Sequence, residues 1–438
     1  MIDGTIAVIG RPNVGKSTLF NRLIKTRLSI VDDQPGVTRD RLYGKVEWLT
    51  KTYRIIDTGG IELTDRPFQD QIRAQAEIAM EEADVIVFLC DGRSGVTVDD
   101  SHIAKLLYRT TKPVILAVNK VDDGHLLDNL MEFYALGLGD PVAVSSLHGV
   151  GTGDLLDRIS EEMPEKVKRK DIEGQISFSL IGRPNVGKSS LVNAILNQER
   201  VIVSNIEGTT RDAIDTPFKR DDREYIVIDT AGLKKRGKIY EAIDKYAALR
   251  ALDAIDRSKV VLLVLDAETG IREQDKNIVS YAIDAGKAII IVVNKWDTVI
   301  KDQNTMHKFK EKVRQEFQFL DYAPIVFVSA KNKERIHTIF SAIDVAYDAS
   351  QTRVQTSVLN DILMDAQMRN PAPNFNGGRI KILYGSQVAV EPPTFVLFTN
   401  NENYMHFSYK RYIENRLREC FEFEGTPIRI IIRERGEK

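Results

Sequence analysis

The string GRPNVGKS occupies residues 10–17 and occurs again at residues 182–189. Its glycines and its final Lys-Ser match the pattern G-x-x-x-x-G-K-[ST], which is typical of loops that bind phosphate. The glycines let such a loop curl until its backbone N–H groups point inward at an anion, and the following helix adds the positive end of its dipole. Because each copy lies between an apolar run and a helical pattern, the sequence predicts two phosphate-binding loops.

The last two residues of each loop have separate predicted roles. We expect Lys16 and Lys188 to reach the β- and γ-phosphates of a nucleotide. We expect Ser17 and Ser189 to offer a hydroxyl to Mg²⁺, a cation that prefers oxygen ligands. The predicted chemistry at both loops is therefore that of a nucleoside phosphate bound with magnesium.

Two further strings accompany each loop. DTGG at 57–60 and DTAG at 229–232 follow hydrophobic runs. Their aspartates suit a water-mediated contact with Mg²⁺, and the N–H of their last glycine can sense a γ-phosphate. Further along, NKVD at 119–122 and NKWD at 294–297 also follow apolar runs and select the base.

The NKxD strings predict guanine. Asp122 and Asp297 can each accept two hydrogen bonds, one from the N1–H of guanine and one from its 2-amino group. Adenine has neither donor, and a site built on such bonds discriminates by about 10⁴. We expect Asn119 and Asn294 to brace the loops around the nucleotide. The sequence therefore predicts two sites for GTP and GDP.

Each predicted GTP site draws on four strings of the sequence. The first comprises Gly10, Arg11, Pro12, Asn13, Val14, Gly15, Lys16, Ser17, Asp57, Thr58, Gly59, Gly60, Ile61, Asn119, Lys120, Val121, Asp122, Ser145 and Ser146. The second comprises Gly182, Arg183, Pro184, Asn185, Val186, Gly187, Lys188, Ser189, Asp229, Thr230, Ala231, Gly232, Leu233, Asn294, Lys295, Trp296, Asp297, Ser329 and Ala330. We expect the aliphatic stems of the NKxD lysines to cover the base. We expect the backbone N–H groups of Ser145 and Ser146, and of Ser329 and Ala330, to complete its pocket.

The order of these strings shows a duplicated domain, because all four recur in the second half of the chain. In both copies short, near-continuous apolar runs such as DVIVFLCD and KVVLLVLD alternate with helical patterns. Apolar runs of this kind are typical of parallel strands buried on both faces, and strand–helix alternation predicts a doubly wound α/β fold. In such folds ligands bind beyond the carboxyl ends of the strands, where every string above lies.

The domain organisation follows from where the repeat begins and stops. We predict a first G domain over residues 1–162, a charged linker over 163–175 and a second G domain over 176–350. The remainder, 351–438, has the order α-β-β-α-β, which predicts a small α+β domain.

Composition limits the other classes of function. The 438 residues carry a formal net charge of −2, so bulk electrostatics do not indicate a nucleic-acid binder, and any basic surface must be local. Cys90 and Cys420 are the two cysteines; neither forms part of a metal pattern, and Cys90 is predicted to be buried. No apolar stretch reaches the ~18 residues of a membrane span. We expect a cytoplasmic monomer without a signal peptide.

These motifs in this order resemble the translation-factor-related GTPases. The doubled GRPNVGKS, the pair PGVTRD (35–40) and EGTTRD (207–212), and the ending PPTFVLF … SYKRYIENRLRE … GTPIR resemble the bacterial tandem-GTPase family Der, also called EngA, over the whole chain. The resemblance implies hydrolysis of GTP to GDP and phosphate and a KH-like C-terminal domain. It further implies a role in ribosome biogenesis through the large ribosomal subunit or its precursor, with ribosomal RNA and proteins as partners. It assigns Thr38 and Thr210 to Mg²⁺ when GTP is bound.

The catalytic site departs from the familiar pattern, because Ile61 and Leu233 stand where a water-orienting glutamine would follow DxxG. Hydrolysis is therefore expected to be slow or to need other help. In related GTPases the asparagine at the fourth loop position, here Asn13 or Asn185, ligates K⁺. A potassium-stimulated GTPase, domains locked in one nucleotide state and a merely structural asparagine all remain open.

Three basic segments and two other functions also remain open. LKKRGK follows DTAG in the second copy where the first has IELTDRP, and it is either a contact to RNA or a solvated loop. The same choice applies to KVKRK in the linker. The third segment is the last helix, whose cations are Lys410, Arg411, Arg416 and Arg418. For these cations the alternatives are a solvated face, contact with RNA and contact with the G domains. No GxxG follows residue 350, so RNA clamping of the KH type is doubtful. The other functions are a ribosome-binding scaffold with structural GTP and a GTPase coupled to tRNA modification.

Overall fold

The chain divides into two compact units, Met1–Lys170 and Asp171–Lys438. The division falls inside the segment predicted as a linker, and the domain boundaries themselves stay predictions. The computed structural model describes residues 2–24, 43–58, 76–77, 79–80, 82–122, 130–164, 175–198, 201–203, 215–228, 244–300 and 302–434.

One twisted sheet forms the centre of the first unit. Its strands are β1 Gly4–Ile9, β2 Tyr43–Trp48, β3 Lys51–Asp57, β4 Val85–Asp91, β5 Val114–Asn119 and β6 Val142–Ala143. Its helices include α1 Lys16–Ile24, α2 Val98–Leu107, α3 Leu130–Phe133 and α4 Thr152–Glu162. Among the described strands the order is β2-β3-β1-β4-β5-β6, and the β2–β3 pair is antiparallel whereas the others are parallel.

The apolar runs explain this sheet. Every residue of β1 and of β4 is buried, as expected for central strands that are covered by helices on both faces. Helix α2 begins with a capping box, in which Thr97 accepts from the backbone N–H of Asp100 and the Asp100 carboxylate accepts from the backbone N–H of Thr97. The start of α2 is therefore held in one position beside the carboxyl end of β4.

The second unit repeats the α/β arrangement. Its strands are β7 Ile176–Ile181, β8 Val201–Val203, β9 Thr216–Arg220, β10 Arg223–Val227, β11 Val260–Asp266, β12 Ala288–Asn294 and β13 Ile325–Phe327. Its helices include α5 Lys188–Leu196, α6 Asp244–Arg257, α7 Glu273–Asp284, α8 Thr305–Glu316 and α9 His337–Gln351. The described strands follow the order β13-β12-β11-β7-β10-β9-β8, with β8, β9 and β10 antiparallel. The predicted doubly wound, mostly parallel α/β fold is confirmed in both copies.

A smaller α+β domain completes the second unit. It contains α10 Thr356–Arg369, β14 Asn374–Phe375, β15 Gly378–Arg379, β16 Ile382–Ala389, β17 Thr394–Thr399, α11 Phe407–Cys420 and β18 Arg429–Glu434. Strands β16, β17 and β18 form a three-stranded sheet in that order. The predicted α-β-β-α-β order is confirmed, and a two-residue hairpin of β14 and β15 is added to it.

Strands β2 and β9 escaped the sequence prediction. Strands β2 and β9 form antiparallel hairpins with β3 and β10 through turns in which Leu49 and Asp221 have φ values of 54° and 51°. Their sequences, YGKVEW and TPFKR, alternate or are polar because each strand lies near an edge of its sheet. They therefore lack the continuous apolar run that marks a central strand.

The C-terminal domain is bonded to the second α/β domain. Gly425 accepts from the N–H of Ile289 at 2.7 Å and donates to the carbonyl of Tyr322 at 2.9 Å. The Arg418 guanidinium lies 4.5 Å from the centroid of the Tyr322 ring. These bonds attach the C-terminal domain to β12 and to the loop before β13, the two strands that lead to the predicted base pocket.

For two of the four cations of the last helix, the alternative of a solvated face is wrong. Arg416 lies 3.0 Å from Asp365, and its side chain is 19% exposed. Arg418 is 15% exposed and contacts the α/β domain, as one of the alternatives had it. Arg411 is exposed. Arg416 and Arg418 are two residues apart and therefore lie on different sides of the helix, and each contacts protein on its own side.

Cys90 is buried and Cys420 is exposed, and neither forms a disulfide. Burial, with Asp100 nearby, raises the pKa of the Cys90 thiol, which is therefore inert and packs as a small apolar residue. None of the helices in the described part of the chain combines the length and the apolar character that crossing a membrane requires.

Candidate functional site: two nucleotide-binding pockets

Each GRPNVGKS loop is closed against an NKxD asparagine. Gly15 and Gly187 have φ values of 99° and 94°, in the region that favours glycine. A Cβ atom added at Gly15 would lie 2.3 Å from Nδ2 of Asn119, and one at Gly187 would lie 2.4 Å from Nδ2 of Asn294. The sixth loop position is therefore glycine for two reasons, its backbone conformation and the amide that lies against it.

The same asparagines join three strings in each copy. Asn119 donates from Nδ2 to the carbonyl of Val14 at 2.7 Å and accepts from the N–H of Ser146 at 2.9 Å. Asn294 makes the matching bonds to Val186 at 2.9 Å and from Ala330 at 3.1 Å. Two chain segments about one hundred residues from each loop are thus tied to it by one side chain.

The loop lysines lie folded over their own loops. Lys16 Nζ donates to the carbonyls of Gly10 at 2.7 Å and Arg11 at 2.9 Å. Desolvation lowers the pKa of Lys16 to about 8, although the negative charge of Asp57 acts in the opposite direction. Lys188 Nζ donates to Gly182 at 2.6 Å. Burial therefore makes the charged form of the Lys16 ammonium group less stable. An anion in the loop would meet this group.

Oxygen atoms suited to magnesium meet at the start of α1. Ser17 Oγ donates to Asp57 Oδ2 at 2.7 Å. A hydroxyl and a carboxylate are hard oxygen donors, which fit Mg²⁺. The corresponding Asp229 lies outside the described residues. So do the other predicted members Thr38, Gly59, Gly60, Ile61, Thr210, Thr230, Ala231, Gly232 and Leu233, together with LKKRGK and KVKRK.

The two aspartates that are predicted to bind the base have different surroundings. Asp122 accepts from Ser145 Oγ at 2.5 Å and forms an ion pair with Arg93, with 2.6 Å between Oδ2 and Nη2. The Ser145 hydroxyl first, and Arg93 after it, lower the pKa of Asp122. Oδ1 of Asp297 is buried and has no hydrogen-bond partner among the residues that the structure describes. A buried acceptor of this kind matches a guanine edge with two N–H donors.

The NKxD lysines bridge to aspartates that sequence reasoning did not single out. Lys120 Nζ lies 2.7 Å from Oδ2 of Asp91 and donates to the carbonyl of Asn13 at 2.9 Å. Lys295 Nζ lies 2.7 Å from Oδ2 of Asp266. The available signal was that both aspartates end the longest apolar runs, DVIVFLCD and KVVLLVLD, at the same sheet edge as the loops.

The loop arginines bind to helices. Arg183 Nε lies 2.9 Å from Asp275, which belongs to the first turn of α7, and its Nη2 donates to the carbonyl of Gly270 at 2.7 Å. In the first copy the corresponding distance from Arg11 to Asp100, in the capping box of α2, is 3.5 Å. Although both arginines belong to the predicted GTP sites, their guanidinium groups here hold the loop against the next helix.

Several other predicted members contribute their backbone while their side chains are in the core. Val14, Val186 and Val121 are buried, and Trp296 packs edge-on against Phe327. Thr58 Oγ1 donates to a carbonyl of β1 at 2.6 Å. The N–H of Ser145 donates to Val150 at 2.9 Å and that of Ser329 to Glu334 at 3.2 Å, so both are already bonded within the protein.

The asparagines considered for potassium lie on the outside of the loops. Asn13 and Asn185 have φ values of 66° and 64°, a conformation that asparagine tolerates better than most residues. Both side chains are exposed. Within the described part of the chain neither amide has a hydrogen-bond partner, so each is available to a ligand.

Two doubly wound domains, each with a phosphate-type loop braced to an NKxD string, and a small α+β domain define a tandem P-loop GTPase. The family model described as "50S ribosome-binding GTPase" matches residues 5–120 and 177–295. The model described as "KH-domain-like of EngA bacterial GTPase enzymes, C-terminal" matches residues 353–433. The chain belongs to the bacterial GTPase Der (EngA) family.

Individual relatives are similar along the whole chain. The GTPase Der of Staphylococcus carnosus is 60% identical over 436 residues and that of Halalkalibacterium halodurans is 59% identical over 437, each covering 100% of both chains. Among solved structures, the G domain of the FeoB iron transporter of T. maritima is 28% identical. It covers 36% of this chain and 98% of its own, with a TM-score of 0.29. Family membership supports hydrolysis of GTP, with GTP and GDP as ligands and Mg²⁺ as the usual metal.

Proposed function

We propose that this protein is a switch that binds and hydrolyses GTP at two sites and acts in assembly of the large ribosomal subunit. The buried Oδ1 of Asp297, which has no hydrogen-bond partner among the described residues, carries the nucleotide part of this proposal, because a guanine edge supplies such donors. The match of both G domains to the family model of 50S ribosome-binding GTPases supports the ribosomal part. We further propose a cytoplasmic monomer.

The chain's own residues account for binding of the phosphates. The loop N–H groups surround the anion, and Lys16 or Lys188 leaves the loop carbonyls to meet the β- and γ-phosphates. Mg²⁺, when bound, neutralises charge on the phosphates. Ser17 and Asp57 are the residues that we propose to hold it at the first site, directly or through water, with Thr38. Ser189, Thr210 and Asp229 have these roles at the second.

Base selection is tested at the second site. The background is Lys16→Ala, which disables the first site and leaves Lys188 intact. In this background Asp297→Asn should weaken GDP binding about tenfold or more, since the substitution exchanges a charged acceptor for an amide. The same variant should gain affinity for xanthosine diphosphate, because the amide can donate to the 2-oxo group of xanthine. Asp302→Asn, an exposed carboxylate nearby, is the control. Unchanged GDP binding in Asp297→Asn would refute the assignment of guanine.

For the chemical step we propose slow turnover that K⁺ stimulates through Asn13 and Asn185. Their exposed amides support this, whereas their positive φ supports a purely structural role. Substitution by glycine distinguishes the potassium role from the structural role, because glycine keeps the backbone conformation and removes the amide. Asn13→Gly and Asn185→Gly should abolish the excess of the rate in K⁺ over that in Na⁺. A potassium effect that survives both substitutions would contradict the proposal.

The ribosomal role is tested by co-sedimentation. The wild-type chain and the single variants Lys16→Ala and Lys188→Ala are sedimented with purified ribosomal subunits under GDP, GTP and a non-hydrolysable analogue. We expect binding to the large subunit or its precursor to depend on nucleotide, and one lysine variant to remove that dependence. Binding that is the same in every nucleotide and variant would favour a scaffold that uses GTP only structurally.

A further inference from the structure

The three-stranded sheet of the C-terminal domain packs one face against α10 and α11, and its other face carries exposed residues in the described part of the chain. On the inner face Phe395, Leu397 and Ile430 are buried with α10 and α11. Gly385 shows how close that packing is, since a Cβ there would lie 2.7 Å from Leu363. Neighbouring residues along each strand point to the opposite side.

The opposite side carries a row of residues paired across all three strands. Tyr384 is in register with Phe398, and Phe398 is in register with Arg433. We call this row, with the neighbouring Ile431, the outer sheet face. The rings of Tyr384 and Phe398 are stacked, with centroids 4.5 Å apart and an angle of 17° between their planes. Tyr384 is 44% exposed and Ile431 is 36% exposed.

Four cations lie on or next to the strands of this sheet, and one of them belongs to the row of rings. Arg433 lies in the row itself, Arg429 lies on the same strand, and Arg379 and Lys381 lead into β16. All four are exposed, and none forms an ion pair with a carboxylate in the described ranges. By contrast, Arg416 on α11 is engaged by Asp365 and Glu419. Four exposed cations of this domain therefore lie on or next to its strands, whereas Arg411 is exposed on α11.

From this juxtaposition we propose that the outer sheet face binds single-stranded RNA. Bases extend the stack of Tyr384 and Phe398, while Arg433 and the cations around it contact the phosphate backbone. Aromatic rings beside a positively charged track are how proteins bind single strands without reading sequence. The cations favour this occupant over an apolar protein surface, which would leave them unpaired.

This inference deepens the proposed ribosomal function and rests on it for the choice of RNA. It also explains how a KH-like domain without a GxxG loop can contact RNA. Stacking of bases on the sheet replaces the GxxG clamp that KH domains place between helices. Base stacking requires unpaired bases, so a duplex is expected to bind more weakly.

The test is fluorescence anisotropy of the full chain with a labelled oligouridine of about 12 nucleotides, within the length that one such surface covers. Tyr384→Ala should weaken binding about fivefold or more, which is the low end of one lost stacking contact. Tyr384→Phe should bind like the wild type. Arg433→Gln should weaken binding and reduce its dependence on salt.

Phe407→Ala is the matched control, because Phe407 is another aromatic residue of this domain, 78% exposed, at the start of α11. Thermal unfolding of each variant verifies that it is folded. The proposal is overturned if Tyr384→Ala binds like the wild type, if Phe407→Ala loses as much, or if duplex RNA competes as well as single strands. It is also overturned if the wild type does not bind the oligonucleotide.

Failure of this inference differs from failure of the proposed function. Nucleotide-dependent sedimentation with ribosomal subunits, together with full oligonucleotide binding by Tyr384→Ala, would refute the outer sheet face alone. Stacking-dependent oligonucleotide binding without any binding to ribosomal subunits would refute the ribosomal role and leave the outer sheet face as an RNA site.

Discussion

Arg93 and Asp122 form an ion pair of 2.6 Å in the first G domain, on the aspartate that is proposed to bind guanine. Arg93 stands two residues after Asp91, and in the second G domain the residue two positions after Asp266 is Glu268. The GRPNVGKS loops are identical, so the surroundings of the base are one place where the two nucleotide sites differ.

We expect Arg93 to compete with guanine for Asp122. In a Lys188→Ala background that disables the second site, Arg93→Gln should tighten GDP binding about two- to fivefold, the value of an exposed ion pair. The gain should disappear at high salt, which screens that pair in the wild type. Titration calorimetry measures both effects. Glu268→Gln in a Lys16→Ala background is the control, and weaker binding in Arg93→Gln would mean that Arg93 holds the bound base instead.

Nucleotide binding at the first site should take up protons above neutral pH. Burial lowers the pKa of Lys16 to about 8 in the free protein, and bound phosphates raise it again. Well below pH 8 the ammonium group is already charged, so the linkage is small. As pH rises through about 8 the free ammonium group loses its proton, so affinity should fall. Calorimetry of GDP binding in buffers of different ionisation enthalpy measures the uptake, in the Lys188→Ala background.

Lys16→Arg is the control for this linkage, because a guanidinium stays charged at every pH used. Any proton uptake that remains in Lys16→Arg comes from another group. Equal uptake in Lys16→Arg and in the parent would contradict the assignment to Lys16.

The bond between the loop and α7 should stabilise the second G domain strongly. Asp275 is fully buried, and Arg183 is its cationic partner. Asp275→Ala leaves that guanidinium buried and unpaired, which should lower the free energy of unfolding by about 3–5 kcal/mol. Hydrogen exchange of peptides from the second G domain measures the loss. Asp100→Ala should cost the first G domain less, because its pair with Arg11 is longer and more exposed; equal losses would contradict this.

Gly425 should be required for attachment of the C-terminal domain. It has a φ of 76°, and a Cβ there would lie 2.5 Å from Cβ of Ala346 in α9. Gly425→Ala therefore adds a collision between two domains to a backbone strain of roughly 1–2 kcal/mol. Gly377→Ala carries the strain alone, since Gly377 has a φ of 85° and nothing within 4 Å of the added atom. Thermal unfolding should show a larger loss for Gly425→Ala, and similar losses would refute the collision.

Much of the fold could be predicted because its cause is local. Near-continuous apolar runs mark β4 and β11 as central strands, and strings that follow such runs must meet at one edge of a parallel sheet. Strands β2 and β9 could not be predicted, because their polar or alternating sequences acquire strand geometry from the neighbour that they pair with.

By itself the sequence determined that there are two phosphate loops, two base-selecting strings and one unrelated C-terminal domain. These depend on residue types at fixed spacing along the chain. Only the tertiary structure decided that Arg93 faces Asp122, that the loop arginines bind α2 and α7, and that Tyr384 and Phe398 stack beside Arg433. Each of these contacts joins residues far apart in sequence, so it depends on how the loops and strands bring them together in space.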